Sequence, residues 1–581
     1  MRVNRLFFIF FLFVYTSVFS QNRNVKLPAN WFNLDLVKDG FFGISTERAY
    51  EEILKNNKIK QEIIVAVIDG GIDFSHEDLK DLLWVNKVEI AGNGIDDDGN
   101  GYVDDIHGWN FIGSKSGNLV YDNLEFVRIY KKYTAKYKST IKSTVLDSNE
   151  KKEFDLYTKV TAEFGRKYDE ADQKFRTLLA ITQILDSAAL FYNKPIPTLE
   201  DIESFKPSTD MDGQIKKIIK SGAKESGNMA NFYHEIKDAY KQYDIMLRYN
   251  LNPKYDQRAE LVGDNYSNSY ETYYGNNDIK GPNAIHGSHV AGIIGANRNN
   301  SLGIKGVADH IKVMGIRVVP DGDERDKDVA NAIKYAVNNG ARVINMSFGK
   351  GYKWDKKVID EAVKYAELKG VLLVHAAGNE NLNLDYEENY PNKYFDSPEL
   401  AEYMDKVEKL KPKTVSFNSS PFSRTQGTAS LRNNAKNVID SNKFNLPHAK
   451  NWIEVGASAY NNDGSLKASF SNYGKYTVDV FAPGFMINST IPGSLYKELD
   501  GTSMAAPVVT GLAALILSYH PELTAESVRE IILKSVSKVV QKVKLINMAG
   551  QSSRVPFTDL CVSGGIVNAY EALKLAETYV R

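Results

Sequence analysis

A run of β-branched residues that stops abruptly at an acid and two glycines, EIIVAVIDGGID over 62–73, is the feature that most restricts how this chain can fold. The run has no polar alternation, so neither of its faces is built to meet water; that pattern suits a strand inside a parallel sheet. Its end at Asp69 presents a carboxylate at the edge of the sheet, where α/β proteins place their sites. The same grammar recurs in IKVMGIRVV (311–319), ARVINMSFG (341–349) and GVLLVHAAGN (370–379). Between these runs lie amphipathic stretches, DKDVANAIKYAVNN (326–339) and KVIDEAVKYAELK (357–369), with helical spacing. Alternating strand and helix predicts an α/β protein of three layers, α/β/α, around a central parallel sheet.

Between about 115 and 280 the rhythm changes. Phe126, Tyr130, Tyr133 and Tyr137 recur at helical spacing, as do Phe154, Tyr157 and Phe164, then Phe175, Leu178, Leu179 and Leu185. These stripes predict packing seams of a large helical insertion, interrupted at Pro195 and Pro197 and restarted at Thr198 as a helix cap. At 581 residues the chain exceeds one ordinary core, and the expected division is a leader over 1–20, an α/β domain from 21–114 and 281–581, and a helical insertion over 115–280. A second segment, about 381–448, is rich in Asn, Ser and charge and is expected to be surface loop.

Arg2 and Arg5 precede LFFIFFLFVYTSVF, short for a membrane crossing, and Ser20 closes it with a small residue before Gln21. Residues 1–20 are read as a signal peptide, the alternative being an uncleaved anchor; no later stretch is expected to span a bilayer. Export to a periplasm, cell envelope or exterior is therefore expected. The single cysteine, Cys561, permits no internal disulfide and is expected to be a small buried residue. A formal net charge of −1 provides no drive toward nucleic acid.

Three passages carry chemistry, each where strand or loop meets helix: VIDGGID around Asp69, HGSHVAGIIGA from His286, and GTSMAAPVVTGLAALIL around Ser503. Serine attack on a carbonyl needs a base to take the hydroxyl proton and a carboxylate to hold that base in one tautomer. Ser503 stands where a long apolar helix begins, so its amide and the positive helix end face an incoming carbonyl. His289 lies one turn beyond His286 and is read as structural. Reading HGSH as a metal-binding pair lacks the acidic residue that zinc peptidases place between or soon after their histidines.

Together IIVAVIDGGID, HGSHVAGIIGA, VINMSFG, HAAGNE and GTSMAAPVVTGLAAL resemble the signature blocks of the subtilisin-like serine peptidases, the subtilase family. The resemblance implies that Asp69 orients His286, that His286 is general base and acid, and that Ser503 is the nucleophile. It also implies that Asn379 completes the oxyanion hole with the Ser503 N–H, and that Ser347, Phe348, Gly349, Ala377 and Gly378 bind polypeptide substrate. Two departures stand out: Ser288 where the family usually has Thr, and only about 50 residues between Gln21 and Asp69, too few for a folding prodomain. The insertion, lying between Asp69 and a histidine that opens its helix, is expected to return to the active-site face as a rim. A catalytically silent peptide-binding or adhesion protein on the same scaffold is the competing class. A monomer that does not insert in membrane after signal cleavage is expected.

NGIDDDGNGYVDDIHGW sets Asp96, Asp98 and Asn100 at alternate positions before Gly101, then Asp104 and Asp105, giving hard oxygen ligands on a tight turn. His107 stands where an EF-hand needs Glu, so the loop is of calcium type without being an EF-hand. Structural calcium is the expected cofactor, held by Asp96, Asp98, Asn100 and Asp104.

Overall fold

The computed structural model describes residues 26–140, 146–206, 210–410, 446–546 and 551–580, and the predicted leader over 1–20 lies outside them. The described residues fall into two compact units, one within 121–256 and the other within 26–120 and 257–580.

Among the described residues the second unit is built on a nine-stranded sheet. In chain order its strands are β1 (Ile63–Asp69), β2 (Gly108–Asn110), β3 (Ile311–Arg317), β4 (Val343–Met346), β5 (Leu372–Ala376), β6 (Trp452–Ser458), β7 (Val480–Pro483), β8 (Ser537–Lys538) and β9 (Gly565–Ile566). Their spatial order is β8-β9-β7-β6-β5-β4-β1-β3-β2. Every pairing is parallel except that of β8 with β9. The register sets Asp69 beside Arg317, and Met346 beside His375, so several strands end along one edge.

Period-two geometry turns this sheet into three layers. Val65 and Val67 of β1 join one apolar cluster with Val290 and Ile294 of α1 (Ile285–Gly295). Ala66 and Ile68 point the other way, into a cluster with Ile333 of α2 (Asp326–Asn338) and Ile359 of α3 (Lys356–Leu368). The fold is α/β/α, as the alternating pattern predicts.

Running through the first cluster is α4 (Thr502–Tyr519), of which all but Ser503 is buried. It corrects the expectation that no later stretch is long and apolar enough to cross a membrane: its mean hydropathy is 1.5, yet 94% of it is buried against protein. Cys561 is buried in a third cluster, and burial pushes its thiol up to about 11. The 381–448 segment differs from the expected loop, since Pro398–Leu410 is a helix whose Tyr403 and Val407 are buried. Ser397 caps it, donating no charge but accepting the Leu400 N–H at 3.1 Å, and proline suits the first helical position.

The unit Tyr121–Asp256 is helical. Ser148–Phe191 runs 44 residues and starts with a capping box, Asp147 accepting from the Glu150 N–H while Glu150 accepts from the Asp147 N–H. Tyr130 stacks on Phe164 at 4.5 Å and Phe175 on Tyr240 at 5.3 Å, so the aromatic stripes are packing seams. Thr198 caps Leu199–Ser204.

One buried ionic knot ties the far strands together. Asp479, just before β7, accepts from Lys393 at 3.0 Å, from Arg529 at 2.7 Å and from the Glu454 N–H at 2.8 Å. Burial alone raises its pKa, but the two cations more than offset that and hold it below the ordinary value. Asp479→Ala leaves both cations without their anion, and a loss of about 3–5 kcal/mol is expected in urea unfolding. In the parent protein this contribution is complete above the ordinary carboxylate range and is lost as pH falls through the depressed folded value. A variant as stable as the parent would refute the assignment.

Candidate active site

Each reactive group sits where a regular element ends or begins. Asp69 closes β1, its Oδ1 accepting from the Gly70 N–H at 2.7 Å and its carbonyl from the Val318 N–H at 3.0 Å. His286 lies in the first turn of α1. Gly287 lets that turn approach the strand end: a Cβ there would lie 2.2 Å from the Gly71 carbonyl oxygen. His286 Nδ1 accordingly donates to both oxygens of Asp69 at 2.9 Å, although the residues are 217 apart in sequence.

Burial pulls the His286 pKa down, and the charge and hydrogen bond of Asp69 outweigh it, so the net shift is upward. The neighbour His289 takes the opposite course. It is buried, its Nε2 meets the Lys497 carbonyl at 2.9 Å, and burial lowers it to about 4, which makes it a neutral structural residue. Ser288 uses its hydroxyl to accept the Asp73 N–H at 2.8 Å.

Ser503 is the second residue of α4, and its hydroxyl donates to the Ser347 carbonyl at 3.1 Å. Among the described residues no hydrogen bond joins that hydroxyl to His286; the Ser347 carbonyl is its partner. Asn379 follows β5 on an exposed turn. Its Oδ1 accepts from the Thr502 N–H at 2.9 Å and the Thr502 hydroxyl at 3.1 Å, which fixes the amide with Nδ2 outward. The space beside Gly501 is bordered by two donors: a Cβ on that glycine would lie 3.7 Å from Asn379 Nδ2 and 3.5 Å from the Ser503 N. Two N–H groups facing one space at a helix N-terminus suit an oxygen that gains negative charge. Thr502, which holds this amide, escaped the sequence reading.

A cleft of about 250 Å³ is lined by Asp69, His286, Ser347, Phe348, Val319 and Asp321 among others. Gly349 is exposed, and Lys350 after it exchanges backbone hydrogen bonds with Tyr390 at 2.9 and 2.8 Å. The Ala377 carbonyl is already occupied by the amides of Asn472 at 2.8 Å and Asn389 at 3.2 Å. Gly378 has φ +100, and a Cβ there would lie 2.4 Å from Asn472 Nδ2.

The acidic loop gathers a different set of oxygens from the expected one. Glu89, Asp96 and Asp98 each bring one carboxylate oxygen within 4.8 Å of the others. Asp104 stands outside this group, its oxygens accepting from the N–H groups of Gly92 (2.7 Å), Asn93 (3.2 Å) and Gly94 (3.0 Å). Asn100 supports the group, donating from its amide to Asp98 and Asp105 at 3.0 Å. Glu89 Oε1 accepts the N–H groups of Asp97 and Asp98, whereas Glu89 Oε2 is buried with no hydrogen-bond partner. A buried carboxylate oxygen with nothing to bind is costly unless a cation meets it, so these residues fit a hard cation.

A family model described as the subtilase family matches residues 60–554. A thermophilic serine proteinase from Bacillus sp. (strain AK1) is 34% identical over 234 residues, 40% of this chain and 42% of its own length. Subtilisin NAT of Bacillus subtilis subsp. natto is 34% identical over 249 residues, 42% of this chain and 49% of its own length. Subtilisin BL of Lederbergia lenta is 31% identical over 245 residues, 42% of this chain and 67% of its own. The alignments thus span less than half the length of the first two relatives.

The raised imidazole is directly measurable. In a ¹H–¹⁵N titration His286 should have a midpoint above the ordinary 6.5, and Asp69→Asn should move that midpoint down. Equal midpoints in the two proteins would show that Asp69 does not act on the ring.

Proposed function

The chain belongs to the subtilase family, and from that premise we propose that it is an exported serine endopeptidase forming its acyl-enzyme on Ser503. The observation that carries this reading is the Asp69–His286 contact beside an amide, Asn379, whose oxygen is tethered and whose N–H is offered outward. Asp69 fixes the tautomer with the proton on Nδ1, leaving Nε2 to accept the Ser503 proton as Oγ rotates toward it and attacks the scissile carbonyl. Asn379 Nδ2 and the Ser503 N–H hold the resulting oxyanion. His286 then passes the proton to the leaving amine, and water repeats the sequence to release the acid. The polypeptide adds as a strand along Ser347, Phe348 and Gly349, with Ala377 and Gly378 on the opposite wall.

In this reading the peptidase domain comprises 21–114 and 281–581 and the helical insertion 115–280. The periplasm, envelope or exterior is the working compartment, which the leader supports.

A fluorophosphonate probe should label the parent protein and leave Ser503→Ala and His286→Ala unlabelled. Asn379→Ala should lower kcat by about 10²–10³-fold with little change in KM, the size known for such a donor in a subtilisin. A parent protein that folds but takes no label would favour the silent peptide-binding class instead.

Calcium belongs to the same proposal, held by Glu89, Asp96 and Asp98 with Asn100 supporting and Asp104 shaping the turn. A bound cation would neutralise buried Glu89 together with half-buried Asp96 and exposed Asp98, and brace a chain that has no disulfide. Adding Ca²⁺ to chelator-treated protein should raise Tm, and both Glu89→Gln and Asp98→Asn should abolish the rise. A Tm indifferent to Ca²⁺ in the parent would remove calcium from the account.

A further inference from the structure

Pro507 lies inside α4, and its missing N–H leaves the carbonyl four residues earlier without its helical partner. That carbonyl belongs to Ser503. In its place the Ser347 hydroxyl donates to the Ser503 carbonyl at 3.0 Å. Ser347 Oγ accepts from Asn345 Nδ2 at 2.9 Å, and Asn345 Oδ1 accepts from the Thr510 hydroxyl at 2.9 Å. Asn345 and Thr510 are wholly inaccessible and Ser347 is 3% exposed, so no water competes for these bonds.

The chain of donors has one sense throughout. Thr510 gives to Asn345, Asn345 to Ser347, and Ser347 to the backbone of Ser503, whose own hydroxyl gives to the backbone of Ser347. Because each acceptor is matched by one donor, the Ser347 hydroxyl cannot turn away without leaving a buried polar group unpaired. The same residue therefore grips the nucleophile twice, once by side chain and once by carbonyl.

We propose that the Ser347 side chain is a positioning residue: it replaces the helical hydrogen bond that Pro507 removes and so fixes the turn that carries Ser503 and its oxyanion N–H. This rests on the peptidase reading for its catalytic consequence and on geometry alone for its structural one. Asn345 and Thr510 act only through it, by setting the direction of its proton. Pro507 has a corresponding role, since a residue with an N–H at 507 would compete with Ser347 for the Ser503 carbonyl.

The test is a rescue. Ser347→Ala should lower kcat about tenfold, the weight of one buried hydrogen bond, with KM changed less than twofold. It should also speed hydrogen exchange at the amides of Thr502–Ala506. Pro507→Ala placed in the same chain returns an N–H to the Ser503 carbonyl, and should recover at least threefold of the lost kcat and the slow exchange. A merely structural role for Ser347 would lower Tm without this recovery. Kinetics or exchange unchanged in Ser347→Ala, or a double variant that folds but is no better than the single, would overturn the proposal. Should the parent protein take no fluorophosphonate, the peptidase reading fails by itself, and the exchange rates still decide whether Ser347 holds the turn.

Discussion

A carboxylate withdrawn from water at the end of a buried strand needs a partner, and the imidazole of His286 supplies it to Asp69 at 2.9 Å. Bringing these two together across 217 residues of chain is the condition the rest of the architecture meets. The parallel sheet delivers Asp69 to its edge, and Gly287 allows α1 to begin against that edge because it carries no side chain. The apolar α4 then brings Ser503 to the same edge from the layer below, driven by burial along nearly its whole length.

Polar order at the site is maintained by pairs in which one atom is tied so that another is presented. Asn379 gives its oxygen to Thr502 and keeps its N–H outward. Asp69 accepts the hydrogen bond from the His286 Nδ1–H and so leaves Nε2 as the ring's acceptor. Ser347 secures the Ser503 backbone while its carbonyl holds the resting hydroxyl. In each case tying one atom sets the direction of the other.

Much of this was legible in the sequence because it is local. A β-branched run ending at Asp69, a helix opening at His286 and an apolar helix opening at Ser503 are written in consecutive residues, and the structure places their boundaries within one or two residues. The strand Trp452–Ser458 was harder, since Glu454 interrupts its apolar run. Its charge is met by His375 at 3.0 Å and by the Trp452 indole at 2.8 Å, partners that only the fold supplies. Glu89 stands seven residues before Asp96, outside the alternating pattern that drew attention to the loop, and only folding brings their oxygens together. Helix Pro398–Leu410 had a visible start, Ser397 before Pro398, but the charge of its neighbours obscured it. For Asn345 and Thr510 there was no signal, because a buried polar residue inside an apolar run shows its purpose only beside its partner.

The central claim is that one oxygen of a reacting carbonyl is held by Asn379 and the Ser503 amide while His286 serves the Ser503 hydroxyl. A crystal structure of the protein treated with a peptidyl boronic acid tests it most directly. The account predicts a tetrahedral boron on Ser503 Oγ, one boronate oxygen within about 3 Å of both Asn379 Nδ2 and the Ser503 N, and a second hydrogen-bonded to His286 Nε2. A boronate bound in the cleft without a bond to Ser503, or with no oxygen near Asn379, would contradict it.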